Sequence, residues 1–356
     1  MIDLRSDTLT RPSDAMRQAM AQAPVDDDVI DVDPTVARLQ ETIARMLGKP
    51  AAMFMPSGTM TNQVAVRLHC RPGDELICEA GCHIYNYEQG GVAQLSGVAT
   101  RVVQGSNSVM NLGQLENLIR PDDEHAVRTR LVCLENTHNR GGGCVLPYDG
   151  VVEICRWAHD QGLRTHLDGA RLFNAVVASG IPADQWAQHF DTISVCFSKG
   201  LGAPVGSALV GETEMIPTMR RHRKLFGGGM RQSGIIAAGA LYALENNIER
   251  LAEDHANART IAGAAEQTEG LTLEPKEVET NIVIFRVAPS LGSASDFCAA
   301  LKRSGVWCLP FSARHIRAVT HLHISSAEAE AAAETIARTA EARLVSSNAG
   351  NPMGDS

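Results

Sequence analysis

No apolar run in this sequence approaches the ~20 residues needed to cross a bilayer, and the mean hydropathy is −0.09, so no membrane-spanning helix is expected. Basic charge is short as well. Thirty-two Lys and Arg against 41 Asp and Glu leave a net charge of −9 and a pI near 5.7. That argues against a phosphate-backbone binder, while leaving room for a local basic pocket. The nine cysteines contain no C-x-x-C pair, and a chain of 356 residues is not a small secreted scaffold, which excludes a disulfide framework. Cys78, Cys82 and His83 have no second ligand pair downstream, so structural zinc is not expected and the cysteines read as small buried hydrophobes. There is no P-loop and no early strand followed by G-x-G-x-x-G, which disfavours ATP and NAD. Internal repeats and low-complexity tracts are absent too. The segment Met1–Asp7 carries charge where a signal peptide needs its apolar stretch, so a soluble, cytoplasmic chain is expected.

What remains is an ordinary globular composition, 44% hydrophobic and 21% charged, long enough for about two domains at ~100–200 residues each. Asp33-Pro34 predicts a helix start, with Val36, Leu39, Ile43 and Leu47 on one face and Gly48 as the stop. Ala51–Met55 predicts a buried strand, and Ser57-Gly58-Thr59 opens the next helix. Strand-like runs follow at Glu75–Cys78, Arg101–Val103, Arg130–Leu134, Thr165–Leu167 and Thr192–Phe197, mostly separated by helical patterns. Such alternation predicts an α/β fold with a mainly parallel sheet covered by helices. After a helical stretch at about 234–268 the pattern becomes a smaller α+β domain. It has strands near 281–286, 306–309 and 316–324, and helices near 294–304 and 327–344. The expected organisation is an N-terminal arm at 1–25, a large domain at 26–250, a small domain at 251–345 and a flexible tail at 346–356.

Four places carry candidate chemistry. Lys199 follows a strand-like segment and precedes a glycine-rich run; a lysine there is a surface residue or a nucleophile of lowered pKa. Asp168 ends another strand, where ligands of α/β sheets gather, with Arg171 three residues on. An Asp so placed can pair with a protonated pyridine nitrogen, although it can equally cap a helix, and Arg171 can be a plain salt-bridge residue. Ser57-Gly58-Thr59 at a helix N-terminus suits a phosphate, or is simply a cap. Gly227-Gly228-Gly229-Met230-Arg231-Gln232, with Lys224 beside it, is a second phosphate-compatible loop. Strand-end Asp, strand-end Lys and an anion cap together form a pyridoxal phosphate constellation.

On these residues the chain resembles the low-specificity L-threonine aldolases, of the β-eliminating lyase group of fold-type I pyridoxal phosphate enzymes. The matching segments run in order over about residues 2–340. They are Asp3-Leu4-Arg5-Ser6-Asp7-Thr8, Asp33-Pro34-Thr35, Pro56-Ser57-Gly58-Thr59-Met60 and His83-Ile84-Tyr85. Further along come Leu134-Glu135-Asn136-Thr137-His138-Asn139, Leu167–Arg171, Phe197–Gly202, Gly227–Gln232 and Val319-Thr320-His321. The resemblance implies an aminotransferase-like large domain and retro-aldol cleavage of threonine and related β-hydroxy-α-amino acids to glycine and an aldehyde. It implies that Lys199 carries pyridoxal 5'-phosphate as a Schiff base and that Asp168 pairs with the pyridine nitrogen. His83 would stack on the ring, Ser57, Gly58 and Thr59 would hold the phosphate, and Lys224 and Arg231 would help neutralise it. Ser6, Arg171 and Arg317 would bind the substrate carboxylate, for which arginine offers a forked donor. His138 would lie near the β-hydroxyl, with His83, His138 or a held water as the base. Tyr87 would line the side-chain end of the substrate. A homotetramer, built as a dimer of dimers, is implied as well.

Two segments depart from the family. Ile30-Asp31 stands where the family commonly has Tyr-Gly near the entrance, which leaves room for a larger Cβ substituent unless residue 30 faces the core. A phenylserine-preferring aldolase, or another pyridoxal phosphate lyase or racemase, is therefore the alternative. Residues 120–130 form a longer polar loop than usual, expected to be solvated.

Overall fold

The computed structural model describes residues 1–349, and among them no helix is long and apolar enough to cross a membrane. The chain divides into two compact units, Arg11–Glu249 and Met1–Thr10 with the chain from Arg250 onward.

The larger unit is built on a seven-stranded sheet: β1 (Ala51–Met55), β2 (Asp74–Glu79), β3 (Ala99–Val103), β4 (Arg128–Glu135), β5 (Arg164–Gly169), β6 (Thr192–Cys196) and β7 (Ser207–Gly211), in the order β1-β7-β6-β5-β4-β2-β3. Its central strands are apolar on both faces because helices cover both, as parallel sheets require. The pairs β2/β3, β2/β4, β4/β5 and β5/β6 are parallel, while β7 is antiparallel to both neighbours. Since β1 and β6 each oppose β7, they point the same way. The C-terminal ends of β1, β2, β4, β5 and β6 therefore share one edge.

Strand β7 is invisible to the sequence pattern. It lies directly behind the glycine-rich stretch, where Gly206 at φ +110° turns the chain back on itself in a conformation open to glycine. The helical stretch expected at 234–268 is two helices, Gly234–Asn246 and Leu251–Gln267. In the polar loop, residues 121–125 are exposed, but Arg120 pairs with Glu75 at 3.1 Å and Arg128–Arg130 already belong to β4.

The first three α-helices are α1 (Asp14–Ala21), α2 (Pro34–Met46) and α3 (Gly58–His69). The start of α2 holds its neighbourhood together. Asp33 is fully buried, and its carboxylate accepts the backbone N–H groups of Thr35, Val36, Asp26 and Gly234. One side chain thus caps α2, pins the segment before it and meets the first turn of Gly234–Asn246.

The smaller unit has an antiparallel sheet ordered Leu309–Pro310, His315–Val319, Ile282–Val287, Leu271–Leu273, packed with helices Leu251–Gln267, Ala294–Arg303 and Ser326–Ala349. Leu4, Val283, Phe285, Phe297 and Ile336 fill its core. The N-terminal residues are more ordered than weak periodicity suggests: Ile2–Asp3 pairs in parallel with Val306–Trp307, and Asp14–Ala21 forms a helix. The last helix runs to Ala349, into the segment read as a tail, and residues 350–356 lie outside the described residues.

Asp33→Ala removes an acceptor from four backbone donors. It should cost about 2–4 kcal/mol in denaturant unfolding, and Asp33→Asn, which keeps one acceptor oxygen, should cost less.

Candidate active site

Five strand ends deliver polar groups to one edge of the large sheet. Asp168 closes β5 and sits opposite Glu135 of β4 and Ser194 of β6. It is buried, accepting from Asn62 Nδ2 at 2.9 Å and from the Ala170 N–H at 3.1 Å. Burial pushes its carboxyl up. The positive groups of His83 and Lys199, with the Asn62 hydrogen bond, outweigh that and hold it below the usual carboxylate range. Asp168 does not cap a helix, since the following helix, Leu172–Ser179, has Arg171 at its cap position.

Lys199 stands half-buried beyond the end of β6. It shares a crevice with Arg171, Asn174 and Cys196. Arg171 is buried and donates to Asn139 Oδ1 at 3.3 Å.

The turn from β1 into α3 arrives at the same edge. Ser57 Oγ accepts the Met60 N–H, as an N-cap should. The first turn of a helix leaves N–H groups with no intrahelical acceptor, which suits an anion. Gly58 is required by close approach: a Cβ there would stand 2.7 Å from Cys196 Sγ. The glycine loop leans on this turn through Gly228, where a Cβ would strike Met60.

His83 begins a short helix after β2, and its Nδ1 lies 2.9 Å from Glu88 Oε1. Tyr87 stands beside it, ring centroids 5.5 Å apart, its hydroxyl accepting from Arg140. Burial pushes the His83 imidazole down, but the hydrogen bond to Glu88 and the charges of Asp168 and Glu88 raise it overall above its ordinary value.

His138 is different. It is buried, with Nε2 3.0 Å from Glu79 Oε2 and Nδ1 accepting the Gly141 N–H at 3.1 Å. Both nitrogens are thus engaged within the protein. Burial works against charge in this pair, yet their attraction leaves Glu79 below and His138 above its ordinary value.

The structure therefore brings together Asp168, Lys199, Arg171, His83 and Tyr87, with Ser57-Gly58-Thr59 at the same edge. Lys224 and Arg231, on either side of the glycine loop, are exposed. Lys224 lines a cavity of about 660 Å³ with Asp28, Arg220 and Arg223, and Arg231 pairs with Asp27 at 3.0 Å. Ile30, in the same segment, faces solvent rather than the core. Ser6 and Arg317 belong to the smaller unit, Ser6 as the cap of a short turn at Asp7–Leu9 and Arg317 on strand His315–Val319.

Four buried polar residues that shape this edge escape sequence reasoning. Glu135, within the motif Leu134–Asn139, accepts the His83 N–H at 2.6 Å and the Asn139 N–H at 2.8 Å, tying two loops together. Glu79 anchors His138. Glu88 and Asn62 form a buried link, with Asn62 Nδ2 donating to Glu88 Oε1 at 2.8 Å as well as to Asp168. Their only signal is polar residues in apolar surroundings, and burial is not visible in one sequence. Behind them, His166 Nε2 meets Asn62 Oδ1 at 3.1 Å, and burial lowers His166 to about 4, so it stays neutral. Burial likewise pushes the thiols of Cys70, Cys133 and Cys196 up, which fits small buried hydrophobes.

The Beta-eliminating lyase family model matches residues 3–288. The low specificity L-threonine aldolase of Escherichia coli (strain K12) is 44% identical over 326 residues, covering 91% of this chain and 95% of that protein. The low-specificity L-threonine aldolase 1 of Arabidopsis thaliana is 42% identical over 332 residues, covering 92% of this chain and 93% of that one. In solved structures, the threonine aldolase of Leishmania major superposes with a TM-score of 0.81 at 20% identity, covering 95% of this chain and 99% of that one, a likeness of fold.

Gly58→Ala should destabilise the chain by about 1–3 kcal/mol through overpacking against Cys196. Adding Cys196→Ala should recover part of that loss, a coupling that a double-mutant cycle by denaturant unfolding measures.

Proposed function

This chain belongs to the Beta-eliminating lyase family, among the low-specificity L-threonine aldolases, and on that premise we propose that it cleaves threonine and related β-hydroxy-α-amino acids to glycine and an aldehyde with pyridoxal 5'-phosphate. The observation that carries this reading is the buried, ionised Asp168, with Lys199 and the His83 imidazole near it at the open end of the sheet.

The residues fit the cofactor. A carboxylate held ionised in a buried place suits a protonated pyridine nitrogen, and Lys199 offers an amine near it. The first turn of α3 offers N–H donors, and Gly58 keeps clear a space that a Cβ would fill. Ser57, Gly58 and Thr59 would take the phosphate; the exposed Lys224 and Arg231 would add positive charge, which suits a homotetramer in which one copy completes another's site. Once bound, pyridoxal phosphate supplies an electron sink for the pair released when Cα–Cβ breaks.

The protein supplies the rest. Asp168 keeps its negative charge and so favours a protonated ring nitrogen. Arg171 binds the substrate carboxylate through two parallel N–H donors, which limits rotation about Cα and orients the bond to be broken. A base must remove the β-hydroxyl proton as the aldehyde leaves. His138 has both nitrogens occupied by Glu79 and Gly141, which supports His83 for this step. With Nδ1 turned to Glu88, His83 takes the proton at Nε2, either directly or through a water. Tyr87, its ring tilted beside His83 and exposed, lines the side-chain end of the substrate.

Acetaldehyde and glycine should appear in equal amounts when L-threonine is supplied, and benzaldehyde release from phenylserine ranks the side chains. Borohydride should trap cofactor on the peptide holding Lys199; a label on another lysine overturns that assignment. Asp168→Asn should keep cofactor yet lose more than about tenfold in kcat, equivalent to ~1.4 kcal/mol of barrier. Turnover within about threefold of wild type would remove the charge role.

A further inference from the structure

Glu88 is a fully buried carboxylate that the mechanism above does not use directly. Its side chain has no exposure, and three donors converge on it. His83 Nδ1 lies 2.9 Å from Oε1, Asn62 Nδ2 lies 2.8 Å from the same oxygen, and Gln63 Nε2 lies 2.5 Å from Oε2. A carboxyl that two amide groups already donate to is placed to accept from the ring nitrogen as well. The amide of Asn62 divides its two hydrogens between Glu88 and Asp168, 2.9 Å away, while its oxygen faces His166 Nε2. That arrangement fixes the amide's orientation, because turning it over would set its oxygen against two carboxylates.

On the proposed aldolase reading, we infer that Glu88 is a positioning residue: it accepts the Nδ1–H of His83, leaving Nε2 unprotonated for the substrate hydroxyl, and through Asn62 it fixes Asp168 relative to that ring. The role matches the orienting carboxylate of a catalytic triad, which holds an imidazole in the useful tautomer without taking the proton itself. Asp168 is held separately, by the Ala170 N–H and Asn62, so the pair of carboxylates shares one amide and does not share a proton.

The charged groups that face His83 are Glu88 on its own loop, Asp168 from β5, Lys199 beyond β6, and Glu135 from β4, which takes its backbone N–H. Glu88 is the one that touches the ring. Removing its charge therefore favours neutral imidazole, and the acid limb of a kcat/KM profile that needs neutral His83 moves to lower pH. The loss of orientation lowers the plateau at the same time. Simple loss of folded protein would lower the plateau and leave the limb where it was.

The test uses the holoenzyme labelled with 15N-histidine, with His83 assigned among the 12 histidines by its loss in His83→Asn. In wild type at pH 8, His83 should carry its proton on Nδ1. Glu88→Gln should shift His83 and the acid limb down by about one unit, the size expected for one adjacent charge. It should lower kcat about tenfold to a hundredfold with bound cofactor retained, as judged by visible absorbance. Glu88→Asp keeps the charge on a shorter arm, so its limb should stay in place while kcat falls. A wild-type His83 protonated on Nε2 overturns the proposal, and that measurement needs no folded variant. An unmoved limb and tautomer in Glu88→Gln overturn it as well. Aldehyde release by wild type is a separate readout: if threonine is not cleaved, the aldolase reading falls, while the tautomer still decides whether Glu88 holds His83.

Discussion

Keeping one carboxylate ionised inside the protein is the constraint on which the rest of this site depends. A buried, uncompensated charge costs several kcal/mol and usually neutralises itself by taking a proton. Asp168 does not, because strand β5 sets it where other elements supply what water would. Helix α3 brings Asn62, the turn after β5 brings the Ala170 N–H, the segment after β6 brings Lys199 and the loop after β2 brings His83. Each of these is placed by a strand end or by the first turns of a helix, so the sheet's register sets the electrostatics directly. A slip of one residue in β5 would turn Asp168 to the other face and strand its partners.

Carboxylates that perform no chemistry do much of the arranging. Glu135 gathers the backbones of His83 and Asn139, and Asn139 in turn meets Arg171. Glu79 holds His138 from one side while it accepts the N–H groups of Gly81 and Gly105 from the other. These acids sit at the ends of β4, which neighbours β5 with its Asp168, and of β2, the next strand out. The result is a buried polar layer, tied together by these carboxylates, from which a few groups project. Preorganisation of this kind is what an enzyme needs from its scaffold when the cofactor supplies the electron sink. It also explains why His83 and His138, both expected near the substrate, differ so much in availability. One faces outward with its second nitrogen open to the site; the other is locked between Glu79 and a backbone N–H.

Much of this was legible from residue order alone. The Asp33-Pro34 start of α2, the strand Ala51–Met55, the helix opening at Ser57 and the strands ending near Asp168 and Lys199 follow from local rules: capping, fixed proline geometry, and apolar runs bounded by turns. Those rules act over a few residues, so one sequence contains them in full, and with them the α/β class and the identity of Asp168, Lys199 and Gly58 as candidates. Tertiary structure decided the rest. Strand β7 exists because two neighbours offer it hydrogen bonds, not because its five residues carry a pattern. The division of labour between His83 and His138 depends on Glu88 and Glu79, and each is chosen by proximity in space. Asn62 links Asp168 to Glu88 across 106 and 26 residues of chain, and no local periodicity encodes such a bond. Burial turns these ordinary polar residues into partners that cannot be exchanged, and burial is a property of the packed chain.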